Sequence, residues 1–367
     1  MSRVLDLYNY LHTIPELGMQ ERKTSAFLAD QLENAGYIVT RNINNATGVM
    51  GIYDTGITGP TLALRADMDA LGHMINGSLC ARHSCGHDAH SSMVLTAAEN
   101  LMQSHALKKG KLKILFQPAE ELGTGAISLL EGGALDDVDM VLGLHLRPKS
   151  EVPLGQATPA MYHAASQRLK AVVHGTRAHG ARPHLGVNAI EAASLAIMSV
   201  ATIRMDPNIS YSIKPTQFDC NSGVTNAIPD EATIIWDVRA EQNDIMTNLL
   251  TKAKQAIENT SLSMGAAADV SWYNLVPAAV YTDDAIALYT EAIEAVLGKK
   301  GICDPGKTAG GEDFHNFILQ KPQIHAGYFG LGCDLEPGLH HPDMHFNTTA
   351  LATGTAILEY AAKKYLG

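Results

Sequence analysis

Cys85-Gly86-His87-Asp88-Ala89-His90 lies between a strand-like run and a long helical pattern, and its reading decides both the fold and the chemistry. A thiolate and an imidazole two residues apart, with more imidazole and carboxylate beside them, form a ligand set of the soft-to-borderline kind that zinc-like metals select. A Cys-x-His pair alone is weak evidence, because cysteine is often simply buried and histidine often serves as a core or capping residue. Company downstream strengthens it: Glu120-Glu121, His145, and the group His340, His341 and His345. Each of these sits where an apolar, strand-like run gives way to a loop, the place where α/β enzymes position their chemistry.

Outward from the hexapeptide, residues 91–105 place Met93, Val94, Ala97, Leu101 and Met102 on one side of a helix that Ser91 or Ser92 would cap. Residues 111–116 read as an apolar strand running into Gln117-Pro118-Ala119-Glu120-Glu121, and residues 141–144 as another running into His145. Upstream, residues 3–36 read as helices broken at Ile14-Pro15 and closed by Gly36. Residues 49–53 and 61–65 read as strands. The second leads into Ala66-Asp67-Met68-Asp69, which suits a solvated turn as well as a role behind metal ligands. Helices alternating with short apolar strands predict an α/β fold with a mostly parallel sheet covered by helices on both faces.

Around Ser166 the pattern changes. Residues 168–174, 233–239 and 270–273 alternate like half-exposed strands, and residues 187–203 and 243–263 like amphipathic helices. These predict an α+β domain with an antiparallel sheet over 166–278, inserted into a catalytic domain formed by 1–165 and 279–367. A chain of 367 residues is long for one core, so two domains are expected.

With 46% hydrophobic and 18% charged residues the composition is that of an ordinary globular protein. A net charge of -11 argues against a nucleic-acid or anionic-membrane partner. The opening residues lack a signal-peptide pattern and no apolar run approaches a membrane span. The five cysteines are scattered, which suits a reducing compartment and a cytoplasmic location.

Eight motifs in order name a family. They are Leu11-His12-Thr13-Ile14-Pro15-Glu16-Leu17-Gly18, Leu64-Arg65-Ala66-Asp67-Met68-Asp69-Ala70-Leu71, the hexapeptide itself, Phe116-Gln117-Pro118-Ala119-Glu120-Glu121, Gly143-Leu144-His145, Asn226-Ala227-Ile228-Pro229, Gly311-Glu312-Asp313-Phe314 and Leu339-His340-His341-Pro342. In them the chain resembles, end to end, the zinc-type aminoacylase and carboxypeptidase metallohydrolases. It looks most like their amidohydrolase branch of hippurate hydrolases, N-acyl-amino-acid deacylases and plant auxin-conjugate hydrolases.

The resemblance implies two divalent metal ions per subunit, zinc foremost with manganese, cobalt or nickel also accommodated, and an inserted domain that mediates homodimerisation. Position by position, Cys85, His87, Glu121, His145 and His340 match the family's metal ligands, Glu120 its general base, and His179 a histidine that reaches the active site of the other subunit. His341 and His345 compete with His340 for its place. Asn226 or Arg239 would bind the substrate carboxylate, Arg239 through its bidentate fork. The implied function is hydrolysis of N-acyl amino acids or related small amides by metal-activated water. The segment 71–84 is shorter than in the family and borders the expected substrate pocket, so substrate preference does not carry over. A dipeptidase or aminopeptidase of the same superfamily, a cysteine-nucleophile amidase, and a non-catalytic binding protein are the rival readings.

Overall fold

The computed structural model describes residues 2–367, which divide into two compact units. The first comprises Met1–Tyr162, Val280–Lys307 and Glu312–Gly367, and the second His163–Ala279 with Thr308–Gly311. The boundaries differ from the expected ones by only a few residues, except that the short stretch Thr308–Gly311 groups with the inserted unit.

The first unit is built on a seven-stranded sheet in the order Ile38–Arg41, Val49–Asp54, Lys111–Gln117, Thr61–Asp67, Met140–Pro148, His325–Leu335, Ala157–Thr158. Lys111–Gln117, Thr61–Asp67, Met140–Pro148 and His325–Leu335 run parallel, Val49–Asp54 and Ala157–Thr158 run antiparallel to them, and Ile38–Arg41 pairs antiparallel with Val49–Asp54. Period-two alternation sends successive side chains to opposite faces. Leu62, Leu64 and Ala66 enter one hydrophobic core beneath the helices Arg3–Leu11, His87–Ser104, Asp283–Leu297 and Ala350–Leu366. Ala63, Leu115 and Val141 enter a second core against the helices Gly125–Glu131 and Asn316–Gln320. Burial on both faces explains why these strands read as nearly unbroken apolar runs.

One expectation is corrected at the hexapeptide. The helix begins at His87, not at Ser91, behind Gly86 with φ of 90°. Ser91 and Ser92 do not cap it; their hydroxyls donate to the carbonyls of Asp67 and Asp88 at 2.7 and 2.6 Å. The first turn is buried all round, so it shows no amphipathic period and escapes a reading based on one. The solvated turn at Asp67 to Asp69 is also excluded, because both carboxylates are buried.

In the second unit a four-stranded sheet runs in the order Tyr211–Asp219, Glu231–Ala240, Ala165–His174, Ala267–Val276, antiparallel throughout. Leu169, Ala171 and Val173 alternate inward with Ile234, Trp236 and Val238 beneath the helices Ala189–Ala201 and Asn243–Ser263. Tyr211–Asp219 was not read as a strand. It is an edge strand, mostly exposed, with Pro215 at a register shift, and only an edge tolerates proline so. Among the described residues, no helix is long and apolar enough to cross a membrane.

Gly143 shows how tightly the central sheet is packed. A Cβ there would stand 2.5 and 2.6 Å from Cδ2 and Cε2 of buried Tyr328, its partner across the parallel pair. Gly143→Ala should lower stability by about 1–3 kcal/mol as an overpacked core site. Urea unfolding followed by circular dichroism should show a lower midpoint at unchanged slope.

Candidate metal centre

Parallel strands bring their carboxyl ends to one edge of the sheet, where ligands gather in α/β proteins. Thr61–Asp67 delivers Asp67 and Asp69, Lys111–Gln117 delivers Glu120 and Glu121 on the loop beyond it, and Met140–Pro148 delivers His145. Cys85 and His87 come from the start of the helix His87–Ser104. His340 sits on a loop with φ of 64°, where its N–H donates to the Ser84 carbonyl at 2.7 Å.

These side chains converge into two trios that share Cys85: Cys85, His87 and His145, and Cys85, Glu121 and His340. Cys85 Sγ lies 3.4 Å from His145 Nε2 and 3.4 Å from His340 Nε2. Glu121 Oε1 lies 3.4 Å from His340 Nε2 and 3.9 Å from His87 Nε2. Ligands about 2.0–2.3 Å from a tetrahedral ion stand roughly 3.3–3.8 Å apart, so the spacing suits a shared cation. His341 and His345 turn to local bonds instead, His341 Nδ1 accepting the Asp343 N–H and His345 Nδ1 lying 3.1 Å from the Asp343 carbonyl.

The hydrogen bonds around the trios test whether a metal fits. His87 Nε2 and Glu121 Oε1 are buried and make no hydrogen bond, and a buried polar atom left so is costly unless something else satisfies it. The far nitrogens are held: His87 Nδ1 is 3.1 Å from Asp69 Oδ1, and His145 Nδ1 donates to the Leu146 carbonyl at 2.6 Å. Both Nε2 lone pairs are thereby turned into the centre, the arrangement that metal-binding histidines use. The residues present fit a bound divalent ion.

Charge points the same way. Burial, with Glu312, Glu121 and Asp313 close by, pushes Glu120 well above the carboxylate range. Burial also pushes Glu121 up to about 7 and the Cys85 thiol well above its usual value, with Glu121 adding to the latter. A nucleophilic cysteine needs the opposite shift. Positive charge placed among these acceptors would stabilise all of them together.

His90 is not free to join. Its Nδ1 is 2.7 Å from Asp67 Oδ1, and its Nε2 accepts the Leu146 N–H at 3.0 Å. The network around Arg65 was missed in the sequence. Its guanidinium is buried and reaches Asp67 Oδ2 at 2.8 Å, Gln117 Oε1 at 2.9 Å, Glu312 Oε1 at 3.0 Å and Asp313 Oδ1 at 3.1 Å. Glu120, Glu312 and Asp313 can bring carboxylate oxygens within 4.8 Å of one another, so Arg65 neutralises the carboxylates behind the proposed base. The quoted Gly311-Glu312-Asp313-Phe314 motif was the available signal, but nothing in it reveals the partner 247 residues away.

The remaining site residues of the sequence reading lie in the inserted unit. His179 and Asn226 are brought together there: Ala178–His179 pairs with Ala227–Ile228, and the Gly180 N–H donates to the Asn226 carbonyl at 2.8 Å. His179 Nδ1 accepts the Ala181 N–H, which leaves its Nε2 as the donor. Arg239 is partly engaged by its neighbour, Nε donating to Asp237 Oδ1 at 3.0 Å.

Several known proteins are similar to this chain in sequence and in fold. A sequence profile for Peptidase family M20/M25/M40 matches residues 63–364. The chain is 32% identical to a Bacillus subtilis (strain 168) protein named N-acetyl-L-cysteine deacetylase, over 100% of this chain and 88% of the relative. It is 30% identical to IAA-amino acid hydrolase ILR1-like 5 of Arabidopsis thaliana, over 97% of this chain and 85% of the relative. Its fold is similar to that of the Bacillus subtilis YXEP protein, described as a dinuclear metal binding peptidase from the M20 family, with a TM-score of 0.81 and 25% identity over 99% of this chain and 98% of that one. This chain therefore belongs to Peptidase family M20/M25/M40 and is a metal-dependent amidohydrolase.

Proposed function

We propose that the protein hydrolyses the amide bond of N-acyl amino acids, with Cys85, His87, Glu121, His145 and His340 holding two divalent ions, zinc foremost and manganese, cobalt or nickel accepted. The observation that carries this reading is the pair of ligand trios sharing Cys85, with Glu120 beside them. Metal ions bound there would supply Lewis acidity, lowering the pKa of a water and polarising the amide carbonyl.

The chain's own residues do the rest. Glu120 Oε2 lies 3.9 Å from His87 Nε2, so its carboxylate is beside the centre without belonging to either trio that shares Cys85. There Glu120 takes the proton of the attacking water and returns it to the leaving amine, as a general base and then a general acid. His179 of the partner subunit donates from Nε2 to the oxygen on which negative charge develops. Asn226 and Arg239 bind the substrate carboxylate.

A homodimer through the inserted unit completes the reading. Its helix Ala189–Ala201 exposes Ile190 and Met198, the last at 64%, beside Phe218 on the open edge strand Tyr211–Asp219. Apolar side chains lining one hollow with that edge suit a second copy of the same surface. Five free cysteines suit a reducing, cytoplasmic setting.

Protein purified without chelator should hold about two divalent ions per chain by elemental analysis, given ligands for two sites. Chelation should abolish hydrolysis of a panel of N-acyl amino acids, and metal add-back should restore it. Dipeptides in the same panel separate this activity from that of a peptidase. Glu120→Ala should keep its metals while kcat falls roughly 10²–10⁴-fold, the contribution of a positioned base.

Met198→Glu should shift the protein from dimer to monomer in light scattering. Mixing Glu120→Ala with His179→Ala subunits, each inactive alone, should restore roughly a quarter of wild-type activity, since half of the random dimers carry one intact composite site of two. Mixtures as inactive as their parents would show that His179 does not act across subunits.

A further inference from the structure

Glu21 is fully buried and has no part in the chemistry above. It stands at the N-cap of the helix Arg22–Asn34, yet its side chain makes no capping bond. It spans two distant segments instead. Oε1 accepts the backbone N–H of Ala119 at 2.8 Å, and Oε2 accepts the Thr47 hydroxyl at 2.5 Å.

Ala119 is the residue just before Glu120 and Glu121, and its φ is 49°. That left-handed conformation is disfavoured by any Cβ and persists only where the surroundings impose it. Here both of its backbone groups are held. Glu21 takes the N–H, while the N–H groups of Gly125 and Thr124 reach the carbonyl at 3.3 and 3.4 Å. A return of Ala119 to ordinary backbone would turn the next peptide planes and re-aim both glutamates.

We infer that Glu21 is a positioning residue, which holds Ala119 in the left-handed conformation so that Glu120 faces the substrate and Glu121 the metals. The inference rests on the roles proposed for those two glutamates. Glutamine at position 21 keeps an oxygen for the Ala119 N–H and an amide for the Thr47 oxygen, whereas alanine leaves the N–H without an acceptor. Glycine at position 119 adopts positive φ without a Cβ penalty and needs no such grip.

The test compares Glu21→Ala, Glu21→Gln, Ala119→Gly and the double variant Glu21→Ala/Ala119→Gly. Each is assayed for kcat and KM, and for zinc affinity by competition titration of the metal-free protein. Glu21→Ala should lose at least about tenfold in kcat with KM within about twofold, and at least about tenfold in zinc affinity, and Ala119→Gly in that background should recover most of both. Glu21→Gln should stay within about threefold of wild type. Should Glu21→Ala fail to fold, Glu21→Met fills the space and still offers no acceptor. Wild-type zinc affinity and kcat in the acceptor-less variants, or losses that Ala119→Gly leaves untouched, would overturn the inference. If wild type itself hydrolyses no N-acyl amino acid, the functional reading fails, and the zinc titration still decides the role of Glu21.

Discussion

Asp69 ties the centre together. One of its oxygens lies 3.1 Å from His87 Nδ1 and the other accepts the Glu121 N–H at 3.1 Å. A histidine at the start of a helix and a glutamate on a strand-end loop, both proposed as metal ligands, are thereby fixed to a common carboxylate, itself carried by a third segment just beyond a central strand. Two of the three segments are parallel neighbours in the sheet, so their ends cannot slide apart without breaking ladder bonds. The positions of the proposed metal ligands are set by the ends of these strands and of this helix, apart from His340, whose ring is half exposed.

The same sheet carries two separate jobs on its two faces. One face packs the helix that brings Cys85 and His87, and the other packs the segment that brings Glu312 and Asp313 to Arg65. A buried guanidinium facing three carboxylates is stable only because each charge is met by another or by an amide or hydroxyl. Gln117 and Tyr328 supply such groups, Gln117 Nε2 donating to Asp313 Oδ1 at 2.6 Å and Tyr328 Oη to Glu312 Oε2 at 2.5 Å.

What could be read in the sequence follows from what leaves a local trace. Buried parallel strands leave apolar runs, and their ends leave a break in those runs, so Glu120, Glu121 and His145 were visible as candidates. The start of the helix at His87 was not, because a turn buried on every side has no period. The role of Arg65 left no local trace, since its acidic partners Glu312 and Asp313 lie in a distant segment. Ala119 gave no sign of its left-handed backbone, which in most turns is announced by glycine or asparagine. The edge strand Tyr211–Asp219 was hidden by Pro215 and by its exposure, both of which argue against a strand unless it lies at an edge.

The Nε2 atoms of His87 and His145 are directed inward by bonds that need no metal, one to Asp69 and one to the Leu146 carbonyl. The rotamers and backbone of these two histidines are therefore ordered without an ion, and binding one there would require little further loss of freedom. A site organised in this way discriminates among divalent ions through its donor atoms and their spacing, not through a folding step that one ion could drive and another could not. Exchange of one divalent ion for another in such a site would leave the scaffold unchanged.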